Sequence, residues 1–66
     1  MTETAADEGV IIEMVPQGAY VRVSAFDPAT LTEVSIVGAA CAGHVQLERM
    51  VLRKLDWVLK KRGVRR

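Results

Sequence analysis

The stretch HVQLERMVLRKLDWVLKKR, running from His44 to Arg62, decides how this chain folds. It contains neither glycine nor proline, and good helix formers (Leu, Met, Arg, Lys, Glu, Gln) dominate it. Gly43 before it is a tolerable N-cap, with Gln46 three residues later where a capping box places its second member. Gly63 after it suits the C′ position, and Lys60, Lys61 and Arg62 put cations where the helix dipole favours them. The pattern predicts one long helix over residues 44–62, roughly 28 Å at ~1.5 Å per residue.

At about 100° per residue, Leu47, Val51, Leu55 and Val58 fall within roughly 80° and form the natural stripe to cover a sheet. Val45, Leu52 and Leu59 widen that arc to about 160° on one side, and Met50 and Trp57 lie on its other flank. Arg49, Arg53, Asp56 and Lys60 occupy the opposite face. Such a wide apolar arc predicts neighbours on more than one side.

Upstream, three runs alternate with a period of two. Val10–Val15 is rich in β-branched residues and is followed by Pro16-Gln17-Gly18, which carries turn chemistry. Ala19–Phe26 sends Val21, Val23 and Ala25 to one face and Tyr20, Arg22, Ser24 and Phe26 to the other. Asp27-Pro28-Ala29-Thr30 has a type I turn signature, and Thr32–Val37 alternates again before Gly38. Short links between successive strands favour an antiparallel meander. The fold class read from the sequence is therefore α+β: a three-stranded antiparallel β-meander followed by one long C-terminal α-helix, β-β-β-α. Its dry face is Val10, Ile12, Met14, Val21, Val23, Val34 and Ile36 against Leu47, Val51, Leu55 and Val58. Residues 1–9 read as a disordered tail, 10–63 as a single small domain, and 64–66 as a basic tail.

A chain of 66 residues builds one small core, and such cores usually need a supplement. Cys41 is the only cysteine, which excludes an internal disulfide, and no second Cys or His completes a zinc set with Cys41 and His44. Packing alone, in a monomer with a few surface hydrophobes, or self-association remains. The sequence predicts a homodimer that pairs helices or strand edges, with Met50, Leu52, Trp57 and Leu59 as candidate interface residues and exchange of the helix through the 38–43 linker as one version. Ile11, Val15, Tyr20, Phe26 and Val37, on the face read as wet, form a parallel apolar surplus.

Charge divides the chain. Residues 1–48 hold seven acids against Arg22, net −6, whereas residues 49–66 hold eight bases against Asp56, net +7. Arg49, Arg53, Lys60, Lys61, Arg62, Arg65 and Arg66 are candidate contacts for an anion such as nucleic acid. The bland alternative is a solvated helix face balanced by the acidic first half. Cys41 beside His44 near a helix start could make a reactive thiol, but a lone cysteine among alanines reads first as packing. No Gly-rich phosphate loop, GxSxG, HExxH or paired-carboxylate spacing is present, so the sequence points away from an enzyme and names no catalytic residue, metal ligand or cofactor. The acidic N-terminus lacks the order of a signal peptide, and no apolar run is long enough for a bilayer; the expected setting is the cytoplasm, with no membrane contact.

Three segments read together, Val23-Ser24-Ala25-Phe26-Asp27-Pro28-Ala29-Thr30, Thr32-Glu33-Val34-Ser35-Ile36-Val37-Gly38 and Leu52-Arg53-Lys54-Leu55-Asp56-Trp57-Val58-Leu59, resemble a family of short uncharacterised alphaproteobacterial proteins carrying a domain of unknown function. The resemblance covers most of residues 10–63 and implies no activity, cofactor or site residues. Ala39 and Gly43 depart from that family's pattern, in which Pro commonly follows the glycine and Ser or Thr often precedes the helix.

Overall fold

The computed structural model describes residues 3–7 and 9–63. Four antiparallel strands, β1 (Glu3–Asp7), β2 (Val10–Gln17), β3 (Tyr20–Asp27) and β4 (Thr32–Ala39), lie in the order β1-β2-β3-β4, and α1 (His44–Lys61) follows. The β-β-β-α arrangement read from the sequence is present as β2, β3, β4 and α1. The addition is β1, formed by residues 3–7 of the segment read as a disordered tail. Its residues have little β propensity, but β2 is long and would otherwise present an unpaired backbone edge, which β1 satisfies from Glu3↔Met14 to Asp7↔Val10. Residues 1 and 2 of that expected tail, and the basic tail 64–66, lie outside the described residues.

The turns follow from local chemistry. Gln17 pairs with Tyr20, so Gly18 and Ala19 alone make the β2–β3 turn, and of the expected Pro16-Gln17-Gly18 turn only Gly18 belongs to it. Gly18 has φ 63° while Ala19 does not have positive φ, the type II′ pattern that matches strand twist. Pro16 is thereby left inside β2, but beyond Met14, the last residue paired to β1. There its missing N–H interrupts no ladder on that side.

Between β3 and β4, Thr30 N–H donates to the Asp27 carbonyl at 3.3 Å, closing the expected type I turn. Asp27 Oδ1 accepts from Ala29 N–H at 3.1 Å and Oδ2 accepts from the Thr30 hydroxyl at 3.0 Å. Leu31 then takes φ 52°, a left-handed conformation, with its side chain 79 % exposed. A leucine there costs about 1–2 kcal/mol that no packing repays, while glycine loses ~0.5–1 kcal/mol of chain entropy. Leu31→Gly is expected to stabilise the domain by ~0.5–1 kcal/mol, raising a thermal midpoint by about 2–8 °C; a lowered midpoint in a melting scan would contradict the strain.

The core is Val10, Ile12, Met14, Val21, Val23, Ala25 and Val34 under Leu47, Val51, Leu55 and Leu59. Ile36 and Val58, assigned to the dry face from sequence, are only partly buried. Leu59 takes the place expected of Val58. The row 47-51-55-59 winds about 40° per step around the helix, and a twisted sheet stays in contact with such a row better than with a straight stripe.

Two polar residues, Asp27 and Thr32, are buried at one end of the sheet. Besides the Asp27 bonds, Arg62 Nη1 donates to Thr32 Oγ1 at 3.0 Å, tying the end of the helix to the β3–β4 turn. Gly63 N–H donates to the Lys60 carbonyl at 3.0 Å and closes the helix where the sequence placed C′.

Candidate functional site

With α1 on one face of the sheet, the molecule presents two outward surfaces. The first is the open face of the sheet. Register places Ile11 beside Phe26, Val15 beside Arg22, Arg22 beside Val37, and Ser24 between Glu13 and Ser35. Ile11 is 43 %, Tyr20 60 % and Val37 64 % exposed, and Val15 and Phe26 are half-buried. These are the five residues that the sequence marked as an apolar surplus. Their charged neighbours on this face are Glu13, Glu33 and Arg22, all exposed.

The second surface is the outer face of α1. Of the four residues predicted from sequence to form a dimer interface, Leu59 is buried in the chain's own core and Leu52 packs against that core. This corrects the assignment of Leu59, because the core row winds onto it. Met50 and Trp57 do face outward, both exposed. They lie among the cations: Arg49, Arg53, Lys60 and Lys61 are exposed.

A spacing of four joins Arg49, Arg53, Trp57 and Lys61 into a row two residues out of step with the core row. Two residues correspond to about 200°, so the two rows lie on opposite sides of the helix. The sequence reading grouped Arg49 and Arg53 with Lys60 and left Trp57 out; the signal was available once the core row was known to advance in fours.

Among the described residues, Lys61, Arg62 and Lys54 have intramolecular tasks. Lys61 Nζ stands 4.8 Å from the centre of the Trp57 ring, a cation–π contact. Arg62 holds Thr32, as above. Lys54 Nζ donates to the Ser35 carbonyl at 2.8 Å and covers part of the β4 edge. Arg65 and Arg66 lie outside the described residues.

The remaining candidates do not assemble into chemistry. Cys41 is exposed with a free thiol, in a turn closed by Ala42 N–H on the Ala39 carbonyl at 3.0 Å, so the packing role read for it does not hold. Ala40 N–H donates to the Ala19 carbonyl at 2.9 Å, and these bonds fold the 38–43 linker back rather than extending it. No group of three His, Cys, Asp or Glu able to hold a metal occurs among the described residues. Among the described residues no helix is long and apolar enough to cross a membrane.

Comparison with curated proteins and with solved structures finds no match. The family of domains of unknown function designated DUF6898 matches residues 7–62, from the end of β1 through the last turn of α1. The chain belongs to the DUF6898 family.

Proposed function

We propose that this domain is a non-catalytic interaction or scaffold module that pairs with a second copy of itself through the open face of its sheet. The observation that carries this reading is the exposure of Ile11, Tyr20 and Val37, with Phe26 and Val15 beside them, on a face that the single helix leaves uncovered. Apolar residues clustered on one sheet face mark an interaction surface more strongly than scattered ones do. A copy turned over about a two-fold axis meets the same surface, and one Arg22 among Glu13 and Glu33 lets each copy offer the cation that the other's acids need. Pairing through β4 is less favoured, because Lys54 already occupies its Ser35 carbonyl.

Three strands of eight residues and one of five, ~4.8 Å apart and rising ~3.3 Å per residue, give a face on the order of 400–500 Å2. That is at the small end for specific interfaces, so micromolar dissociation is expected. The exposed thiol of Cys41 suits a reducing compartment, and we place the module in the bacterial cytoplasm.

Sedimentation equilibrium from 10 to 500 µM is expected to show a rise from 7.2 kDa towards twice that mass. Val37→Glu is expected to abolish the rise without lowering the melting temperature at low concentration. A constant 7.2 kDa across the whole range, or unchanged association of Val37→Glu, would overturn the proposal.

A further inference from the structure

We infer that the outer face of α1 binds single-stranded nucleic acid, with Trp57 as a stacking platform and Arg49, Arg53 and Lys60 as phosphate contacts. This surface lies across the molecule from the open sheet face, and the inference does not depend on self-pairing.

The row Arg49-Arg53-Trp57-Lys61 rises about 6 Å per step along the helix. All four residues are exposed, and Lys60 and Met50 flank the row. A tryptophan 60 % exposed on a helix whose opposite side already fills the core contributes little to folding. Lys61 covers part of one ring face and leaves aromatic surface for a second planar group.

The helix and its cap carry six cations (Arg49, Arg53, Lys54, Lys60, Lys61, Arg62) against two acids. Glu48 is half-buried, and Asp56 flanks the row beside Lys60. The charge favours a polyanion, and the ring selects among polyanions. An acidic peptide would use the cations but not the indole, and a sulfated sugar offers the ring only C–H faces rather than a planar π-system. A membrane would need an apolar helix face to insert, and here that face is packed on the sheet. A nucleic-acid strand uses both features, because every base has a face to stack and every linkage a phosphate.

Trp57 is the only tryptophan, so its emission reports the site directly. The full chain is titrated with oligo(dT), with heparin and with phosphatidylglycerol vesicles, at 20 and 200 mM salt. Oligo(dT) is expected to quench the emission. Three phosphate contacts give a salt slope of about −2, hence a roughly 100-fold weaker affinity at the higher salt.

Anisotropy of a labelled oligonucleotide is expected to show about 5- to 150-fold weaker binding by Trp57→Ala, the range for losing one stacked base. Arg53→Glu is expected to weaken it further, with circular dichroism unchanged in both variants. Absence of quenching at 20 mM salt would overturn the inference. So would wild-type affinity in Trp57→Ala, which means charge alone, or a blue shift with vesicles and no response to oligo(dT), which means a lipid surface.

Discussion

Leu55→Ala is expected to cost ~2–5 kcal/mol, the range for truncating a fully buried leucine. Leu55 is fully buried in the inner row of α1, flanked by Val51 and Leu59, over a sheet face whose β2 and β3 residues are themselves closed to water. Removing three carbon atoms there loses their transfer energy and leaves a space that two rigid layers cannot collapse to fill. At ~0.05–0.15 kcal/mol per residue, a chain of 66 residues has roughly 3–10 kcal/mol in all, so the variant gives up a large fraction of the domain's stability.

Urea denaturation at one fixed protein concentration checks this, since association would add a concentration-dependent term. The midpoint is expected to fall steeply for Leu55→Ala and to stay within about 0.5 kcal/mol of wild type for Met50→Ala, whose side chain is exposed. Equal midpoints for Leu55→Ala and the parent chain would mean that the helix does not pack on the sheet through this row.

The helix and the three long strands were legible because each rests on side-chain pattern. A run free of glycine and proline, and alternation with a period of two, are visible without a partner element. What escaped the sequence depends on partners. Strand β1 forms because the edge of β2 offers backbone groups, and nothing in Glu-Thr-Ala-Ala-Asp advertises that. Leu59 displaces Val58 because of sheet twist, which composition does not encode. The apolar residues of the open sheet face were all identifiable in advance. The row of Arg49, Arg53, Trp57 and Lys61 was not, since a row is defined only relative to the side of the helix that is buried. Arg62 read as a last-turn cation and a candidate anion contact, and its bond to Thr32 joins residues thirty apart, which no local pattern announces.

Gly38→Ala carries the second large expected effect, and it tests the other end of the same interface. In the sequence Gly38 reads as the end of a strand. In the structure it lies within β4, half-buried, where a Cβ would fall on the Cδ2 methyl of Leu47. The glycine therefore makes room for a side chain of the first turn of α1 against β4, a use of glycine for approach rather than for turning. Leu47 is 1 % exposed, so its side chain must repack within the core to admit the added carbon, at an expected cost of ~1–3 kcal/mol.

Leu47→Ala alone is expected to cost ~2–5 kcal/mol by leaving a void. Together the two substitutions are expected to cost about 1–2 kcal/mol less than their sum, because the new methyl at 38 occupies part of the space that Leu47 vacates. A double-mutant cycle by urea denaturation measures this, with Val51→Ala in place of Leu47→Ala as the uncoupled control. Additivity of Gly38→Ala with Leu47→Ala to within ~0.5 kcal/mol would show that the two residues do not meet. The helix would then start farther from β4, and the core row would have to be drawn from Val51 onward.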